Sequence, residues 1–557
     1  MEKVWLKSYA PGVPETIDHN DYESLGDVFK KSADKFRDRP AYSNLGRTLS
    51  YDDVDTMTRD FAAYLTQVAG LKKGDRIAIM MPNLLQYPIA LFAALRAGLI
   101  VVNTNPLYTD RELEHQLNDS GAIAIVILEN FAGTLASILD KTSVKTIITT
   151  QIGDLAGFPK SLLVNFVVKH VKKMVPSFSL PSTAVKFNDV LKAGKGKPFT
   201  NAEVGHEDVA FLQYTGGTTG VAKGAALTHK NMIANLLQVK AWASNELTEN
   251  HEIFITALPL YHIFSLTANA FSLTLGAKSV LITNPRDMAG FVKELSKEKF
   301  TFMAGVNTLF NGLLNTPGFD QLDFSHVNLI LGGGMAVQES VADEWIKVTG
   351  HALVEAYGLT ETSPGVCINP TNSQSFSGNI GLPISSTIVC VKNEEGAELP
   401  FGEPGELCVK GPQVMQGYWN RPKETANVMD ADGWLHTGDI AVIDEKGFVK
   451  LVDRLKDLII VSGFNVYPNE IENVVASHPK VLEVGAIGVP HKKSGETVKL
   501  FVVKKDTSLT EDELINFCRQ QMTGYKCPKH IEFVEDLPKS NVGKVLRKDL
   551  RELEEKT

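Results

Sequence analysis

Cysteine is scarce and scattered in this 557-residue chain: Cys367, Cys390, Cys408, Cys518 and Cys527 are an odd set with no metal-ligand spacing. That usage excludes a disulfide-stapled fold and fits a reducing cytosol. A long apolar run is missing too. The longest candidate, Leu84 to Asn103, is broken by Pro88, Arg96 and Gly98, so it predicts a buried helix, a stop at Gly98 and a strand, with no membrane span. The opening MEKVWLKSYAPG lacks the apolar centre of a signal peptide, and RELEEKT at the other end is no peroxisomal or retention signal. A cytoplasmic protein is expected on those grounds. Positive charge is not in surplus, since the formal net charge is -9. That balance argues against a nucleic-acid binder, which needs clustered Lys and Arg against phosphate. No internal repeat is visible.

What is present is the composition of an ordinary globular protein, 43% hydrophobic and 22% charged. At this length one core does not suffice, and at least two domains are expected. Short β-branched runs (RIAIMMPN, IAIVIL, VKTIITT, IFITALPL, SVLITN, LILGGG) recur between helical patterns. The alternation predicts an α/β protein with largely parallel, doubly covered sheets. After about residue 380 the strands become short, alternating and joined by Gly-containing turns, which predicts a small antiparallel barrel or sheet up to residue 453. A compact α+β unit follows over 454–557. The polar segment DRLKD, Asp453 to Asp457, reads as a solvated charged joint between the two bodies. One more stretch, Ser161 to Phe178, sets Lys169, His170, Lys172 and Lys173 beside apolar residues. It suits either an anionic membrane surface or a plain surface helix.

The segment YTGGTTGVAKGA, Tyr214 to Ala225, is a phosphate loop of an unusual kind, because Lys223 lies between Ala222 and Gly224 and no Gly-Lys-Ser/Thr run occurs. Tyr214, Thr215, Thr218 and Thr219 offer hydroxyls. Gly216, Gly217, Gly220 and Gly224 let backbone N–H groups approach an anion. With Lys223 as a point charge, the loop can wrap the β- and γ-phosphates of a nucleotide.

That segment resembles the first core motif of the adenylate-forming superfamily, which holds acyl-CoA synthetases, firefly luciferases and peptide-synthetase adenylation domains. EAYGLTE (355–361), GWLHTGD (433–439), DRLKD, SGFNVYPNEIE and PKSNVGKVLRKDL follow in the superfamily's order, so the likeness spans nearly the whole chain. Within it, MPNLLQYPIALF, NPLYTDRELEHQLNDSGA, LPLYHIF and KGPQVMQGYWNRP look most like the bacterial long-chain fatty-acid CoA ligases. The resemblance implies ATP, Mg²⁺ and CoA, and two half-reactions: a fatty acid and ATP give acyl-adenylate and pyrophosphate, then the CoA thiol displaces AMP. It implies that a small mobile C-terminal domain rotates between the steps.

Residue by residue, the likeness carries these roles. Lys544 bridges carboxylate and α-phosphate, although read bare it is a surface charge. Glu361 and Thr215 hold Mg²⁺. Tyr214 through Gly224, Val221 and Ala222 included, cradle the phosphates. Gly332, Gly333, Gly334 and Tyr357 wall the adenine, with Gly358 and Thr360 beside it. Asp439 and Arg454 take the ribose, His262 orients the carboxylate or gates the acyl site, Lys456 is the pivot, and Gly463 nears the pantetheine after rotation. Some long-chain relatives carry a gate tryptophan where this chain has Leu266, which leaves Phe264 as the gate candidate. The likeness allows a homodimer through the large domain and a peripheral contact with the inner face of the membrane. Medium-chain or aryl-carboxylate CoA ligases are the competing reading. A silent ATP-binding import scaffold is disfavoured because Lys544, Glu361 and Asp439 are all present, and a peptide-synthetase module because only thirteen residues follow Lys544.

Overall fold

The computed structural model describes residues 2–215, 222–462, 464–491, 494–540 and 543–555. Two broad sheets form the bulk of the large unit. The first has nine strands, and six of them run parallel in the order Leu353–Gly358, Leu329–Gly332, Phe302–Gly305, Ile253–Thr256, Lys278–Leu281 and Pro40–Asn44. The second has eight, with the strand Val209–Thr215 parallel to Ile100–Asn103 and antiparallel to Lys223–Thr228. These near-continuous apolar strands are buried on both faces, as parallel strands covered by helices must be.

Local sequence sets the helices. The stretch read as helix, stop and strand is the helix Gln86–Arg96, a turn with Gly98 at φ +71°, and the strand Ile100–Asn103. Every residue of that helix is buried, Arg96 included, and Asp55 neutralises the guanidinium at 2.7 Å. Capping boxes start three others, at Ser50 with Asp53, Thr109 with Glu112 and Thr228 with Asn231. Each satisfies two backbone donors that a helix start otherwise leaves open.

The β-rich stretch after residue 380 takes the antiparallel sheet form, in the order Ile388–Lys392, Gly405–Lys410, Leu435–Ile443 and Val449–Arg454. Val389, Val391, Leu407 and Val409 turn one face of it toward the main core. The last hundred residues own a separate sheet, Phe464–Val466, Ile459–Val461, Gly495–Lys504 and Val481–His491, with His530–Val534 parallel to Gly495–Lys504. Its core is also separate, built on Ile459, Val466, Ile471, Leu500 and Leu514.

The joint differs from its expected solvated state. Leu455 and Lys456 are exposed, but Asp453 and Asp457 are buried. The reason is Arg547, 94 residues after Asp453 in the chain, whose guanidinium reaches Asp453 at 3.1 Å, Asp457 at 3.5 Å and Glu472 at 2.7 Å. A buried carboxylate persists when it is paired and hydrogen-bonded. The backbone N–H groups of Arg454 and Asn469 complete the shell of Asp453. Among the described residues no helix is long and apolar enough to cross a membrane.

Candidate active site

The phosphate loop is the connection of a β-hairpin. Tyr214 pairs with Gly224 and Thr215 with Lys223, so both ends of the loop are fixed by strand register. Gly216, Gly217, Thr218, Thr219, Gly220 and Val221 lie outside the described residues, as does Gly463. Around the hairpin the anchoring is dense. The Tyr214 hydroxyl donates to Asp119 at 2.8 Å, and Asp119 also pairs with Arg421. The carbonyl of Ala222 meets His115 Nε2 at 2.9 Å. Gly224 leaves the space that Tyr214 fills, since a Cβ there would sit 2.9 Å from the ring.

Lys223 lies over the ring of Tyr418, 4.6 Å from its centroid, and the Tyr418 hydroxyl donates to Glu361 Oε1 at 2.7 Å. One tyrosine therefore links the loop lysine to the proposed metal carboxylate. Glu361 sits in the short 3₁₀ turn Thr360–Thr362 after the strand Leu353–Gly358. Its other oxygen carries no hydrogen bond among the described residues. With the Thr215 hydroxyl at the end of the facing strand, the set offers hard oxygen donors of the kind Mg²⁺ takes when phosphate and water complete its shell. Gly358 is required by close packing, because a Cβ there would lie 2.1 Å from the carbonyl oxygen of Pro364.

The third motif delivers a buried acid. Asp439 and Arg454 are register partners on neighbouring antiparallel strands, and Arg454 Nε lies 3.2 Å from Asp439 Oδ1. The second oxygen of Asp439 accepts from the Tyr357 hydroxyl at 2.5 Å. Burial, with Asp439 beside it, pushes the Tyr357 phenol well above its ordinary value, so it stays a donor. Tyr357, expected as a stacking face for the base, thus also aims the Asp439 carboxylate. Gly332, Gly333 and Gly334 end the strand Leu329–Gly332 nearby, and the Phe264 ring lies 3.2 Å from where a Cβ on Gly333 would be. Leu266, by contrast, is 2% exposed and belongs to the main core.

Lys544 arrives from the small unit. Burial pushes its ammonium down to about 7, with Arg454 second and Asp439 opposing. His262 is pushed down to about 4 by burial and then by Lys544, so it is neutral at physiological pH. Its Nδ1 faces the backbone N–H of Phe264 at 3.4 Å, capping the helix Ile263–Thr274. The ring is thus uncharged at physiological pH and fixed in orientation by the helix start it caps. Lys456 is exposed, and its ammonium is lowered to about 8 by desolvation and Arg454. Away from the joint, Thr308 donates to the carbonyl of Gly543 at 3.0 Å and Asn311 to that of Leu482 at 3.1 Å, and both bonds tie the small unit to the large one.

Tyr418, Asp119, Arg421, Thr308 and Asn311 were not legible as site residues in the sequence. The only signal for Tyr418 and Arg421 was their place within KGPQVMQGYWNRP, and for Asp119 its place within NPLYTDRELEHQLNDSGA; Thr308 and Asn311 lie in neither.

Comparison with known proteins sets these features in context. Residues 29–419 match the AMP-binding enzyme family, and 470–544 match the AMP-binding enzyme C-terminal domain. A long-chain-fatty-acid–CoA ligase of Escherichia coli O6:H1 is 58% identical over 553 residues, covering 99% of this chain and 98% of that protein. Among solved structures, ATP-bound MatB from Rhodopseudomonas palustris superposes with a TM-score of 0.77 at 28% identity, over 95% of this chain and 99% of that one. The anthranilate CoA ligase AuaEII in complex with anthranoyl-AMP gives a TM-score of 0.86 at 23% identity, over 97% and 99%, and supports the fold.

Proposed function

Because the chain belongs to the AMP-binding enzyme family, we infer that the convergence of Lys544 with Asp439 and Arg454 is an adenylating centre acting on a long-chain fatty acid. The enzyme is an ATP-dependent, AMP-forming acid–thiol ligase. A fatty acid and ATP give acyl-adenylate and pyrophosphate, and CoA then gives acyl-CoA and AMP.

The roles follow from charge. A carboxylate attacking an α-phosphate brings two anions together, and a fixed cation between them lowers that barrier most. Lys544 supplies it. The free enzyme holds Lys544 near its titration midpoint at neutral pH, and bound anions favour the ammonium, so the charge is recruited with the substrates. Asp439, aimed by Tyr357 and Arg454, accepts the ribose hydroxyls. Lys223 and the Tyr214–Gly224 hairpin hold the leaving phosphates. Glu361 and Thr215 hold Mg²⁺, which when bound neutralises the pyrophosphate. Gly332 to Gly334 wall the adenine, His262 orients the carboxylate, and Phe264 lines the acyl entrance. After adenylation the unit 454–557 turns about Lys456, removing Lys544 and bringing Gly463 toward the pantetheine.

AMP release across fatty acids of increasing length, with benzoate and acetate alongside, tests the substrate. A rate that climbs to a plateau with long chains is expected. A preference for benzoate or acetate would keep the chemistry and overturn the fatty-acid assignment.

The enzyme works in the cytoplasm and touches the inner membrane face through the helix Lys160–Phe166 and its continuation. Support comes from the exposed side chains of Phe158, Leu162, Leu163, Phe166, Val171 and Met174, beside Lys169, Lys172 and Lys173. Neutralising those three lysines should release the protein from anionic vesicles, and unchanged binding would reject the contact. A homodimer is the proposed assembly, to be read as twice the chain mass in light scattering.

A further inference from the structure

Three of the five thiols are ordinary core residues: Cys367 lies in the main core, and Cys518 and Cys527 in that of the small unit. Cys390 and Cys408 are different. They alternate with Val389, Val391, Leu407 and Val409, which face the main core, so the two thiols project from the opposite face of the four-stranded sheet. Strand register makes Cys390 the partner of Cys408, and Cys408 the partner of His436, so the three side chains form one row across three strands. Cys390 stands next to Cys408 in that row, with its sulfur outside the tighter group formed by the other ligand atoms. Cys408 Sγ is 3.5 Å from His436 Nδ1, and that nitrogen is 2.8 Å from Glu406 Oε2, two residues along the same face. The ligand atoms of Glu406, Cys408 and His436 all fall within 4.8 Å of one another.

The surroundings are those of a metal-bound histidine. His436 Nε2 faces Asp430 Oδ2 at 3.5 Å. Asp430 is itself fixed by Lys392 at 2.7 Å and by the backbone N–H groups of Asp432 and Trp434. A carboxylate on the far ring nitrogen sets the tautomer that leaves the near nitrogen's lone pair free for a cation. The Lys392 charge is paired with Asp430, so it does not oppose a cation among the sulfurs.

We propose that Cys390, Cys408, His436 and Glu406 form a binding site for a thiophilic divalent cation, zinc being the natural occupant. Two sulfurs, one imidazole and one carboxylate are a four-coordinate zinc set. Binding releases the two thiol protons to solvent, and the His436 proton passes to Nε2 against Asp430. Ligand atoms about 3.3–3.8 Å apart surround a tetrahedral zinc; Glu406, Cys408 and His436 are already within 4.8 Å of one another, and Cys390 completes the set by turning in from the neighbouring strand. The site is also wired to the centre described above. Glu406 Oε1 accepts from the backbone N–H of Gly438 at 3.0 Å, one residue before Asp439. That coupling rests on the proposed function, whereas the cation site does not.

Titration of the full-length, chelator-treated protein with Co²⁺ and Zn²⁺ tests it without any activity readout. The expected result is a sulfur-to-cobalt absorption band at one equivalent, displaced by Zn²⁺, lost in Cys408→Ser and Cys390→Ser, and retained in Cys518→Ser. Asp430→Asn should weaken Zn²⁺ by about 10-fold or more while leaving the band. Circular dichroism of each serine variant establishes that it is folded. No band in the unsubstituted protein would overturn the site, as would a band that survives in folded Cys408→Ser and disappears in Cys518→Ser.

Discussion

Two aspartates on neighbouring strands make similar pairs and serve opposite ends. Asp439 and Asp453 are 4% and 2% exposed, and each is held by an arginine. The partners of Asp439 are Tyr357, in the large unit, and Arg454, the last residue of the strand Val449–Arg454 that closes the four-stranded sheet ahead of the pivot Lys456, so that carboxylate stays aimed whatever the residues after Lys456 do. The partner of Asp453 is Arg547, from the helix Arg547–Glu555 of the small unit, so that pair holds one arrangement of two bodies. Adjacent residues, Asp453 and Arg454, thus divide the work of joining two bodies and of aiming one carboxylate. An ion pair inside one body fixes a side chain, whereas one between bodies selects a conformation.

Arg547→Ala should break the second pair with the largest effect. It leaves Asp453 buried without its cation, removes one of the two arginines on Asp457 and takes the partner from the half-buried Glu472, and breaking such a buried pair costs about 3–5 kcal/mol. Faster hydrogen exchange in the strands Val481–His491 and Gly495–Lys504, with ATP affinity little changed, is the expected result. Next comes Lys544→Ala. Adenylation should fall by roughly 100- to 1000-fold, the usual loss for a group that meets developing charge, while thioesterification of preformed acyl-adenylate is spared; equal losses in both steps would sink the rotation between half-reactions. The same lysine sets a pH limb. In the proposed role its ammonium is the active form, and it is lost as pH rises through about 7, so kcat/KM for adenylation should fall above that pH and the fall should vanish in Lys544→Arg. The opposite sign holds for stability: burial lowers the folded pKa, so between about 7 and the unfolded value this lysine makes folding more favourable as pH rises.

Asp439→Asn attacks the first pair and should raise KM for ATP by about 10- to 100-fold, in line with a lost charged hydrogen bond. Exchange in the small unit should be unchanged. The smallest effect is expected from Thr308→Val, which removes one neutral bond worth about 1 kcal/mol. A roughly fivefold loss confined to adenylation would show that docking is graded rather than all-or-none.

Legibility in the sequence tracked contact distance along the chain. The hairpin from Tyr214 to Gly224 and the strand pair carrying Asp439 and Arg454 are local, so motif and register agree. Glu361 was named, but its tether Tyr418 lies 57 residues away. Asp119 meets Arg421 across 302 residues, and Thr308 meets Gly543 across 235. Nothing in a local pattern marks such partners. The same blindness made Asp453 and Asp457 look solvated, because an acid-rich segment is polar until its distant arginine is placed. Cys390 and Cys408 looked merely scattered for that reason, although register puts them side by side.

The docking bonds from Thr308 and Asn311 end on main-chain oxygens, those of Gly543 and Leu482. A backbone carbonyl is present whichever side chain the position carries, so substitutions over the small unit's surface leave this grip intact. A small unit transplanted from a relative would offer the same two acceptors to Thr308 and Asn311.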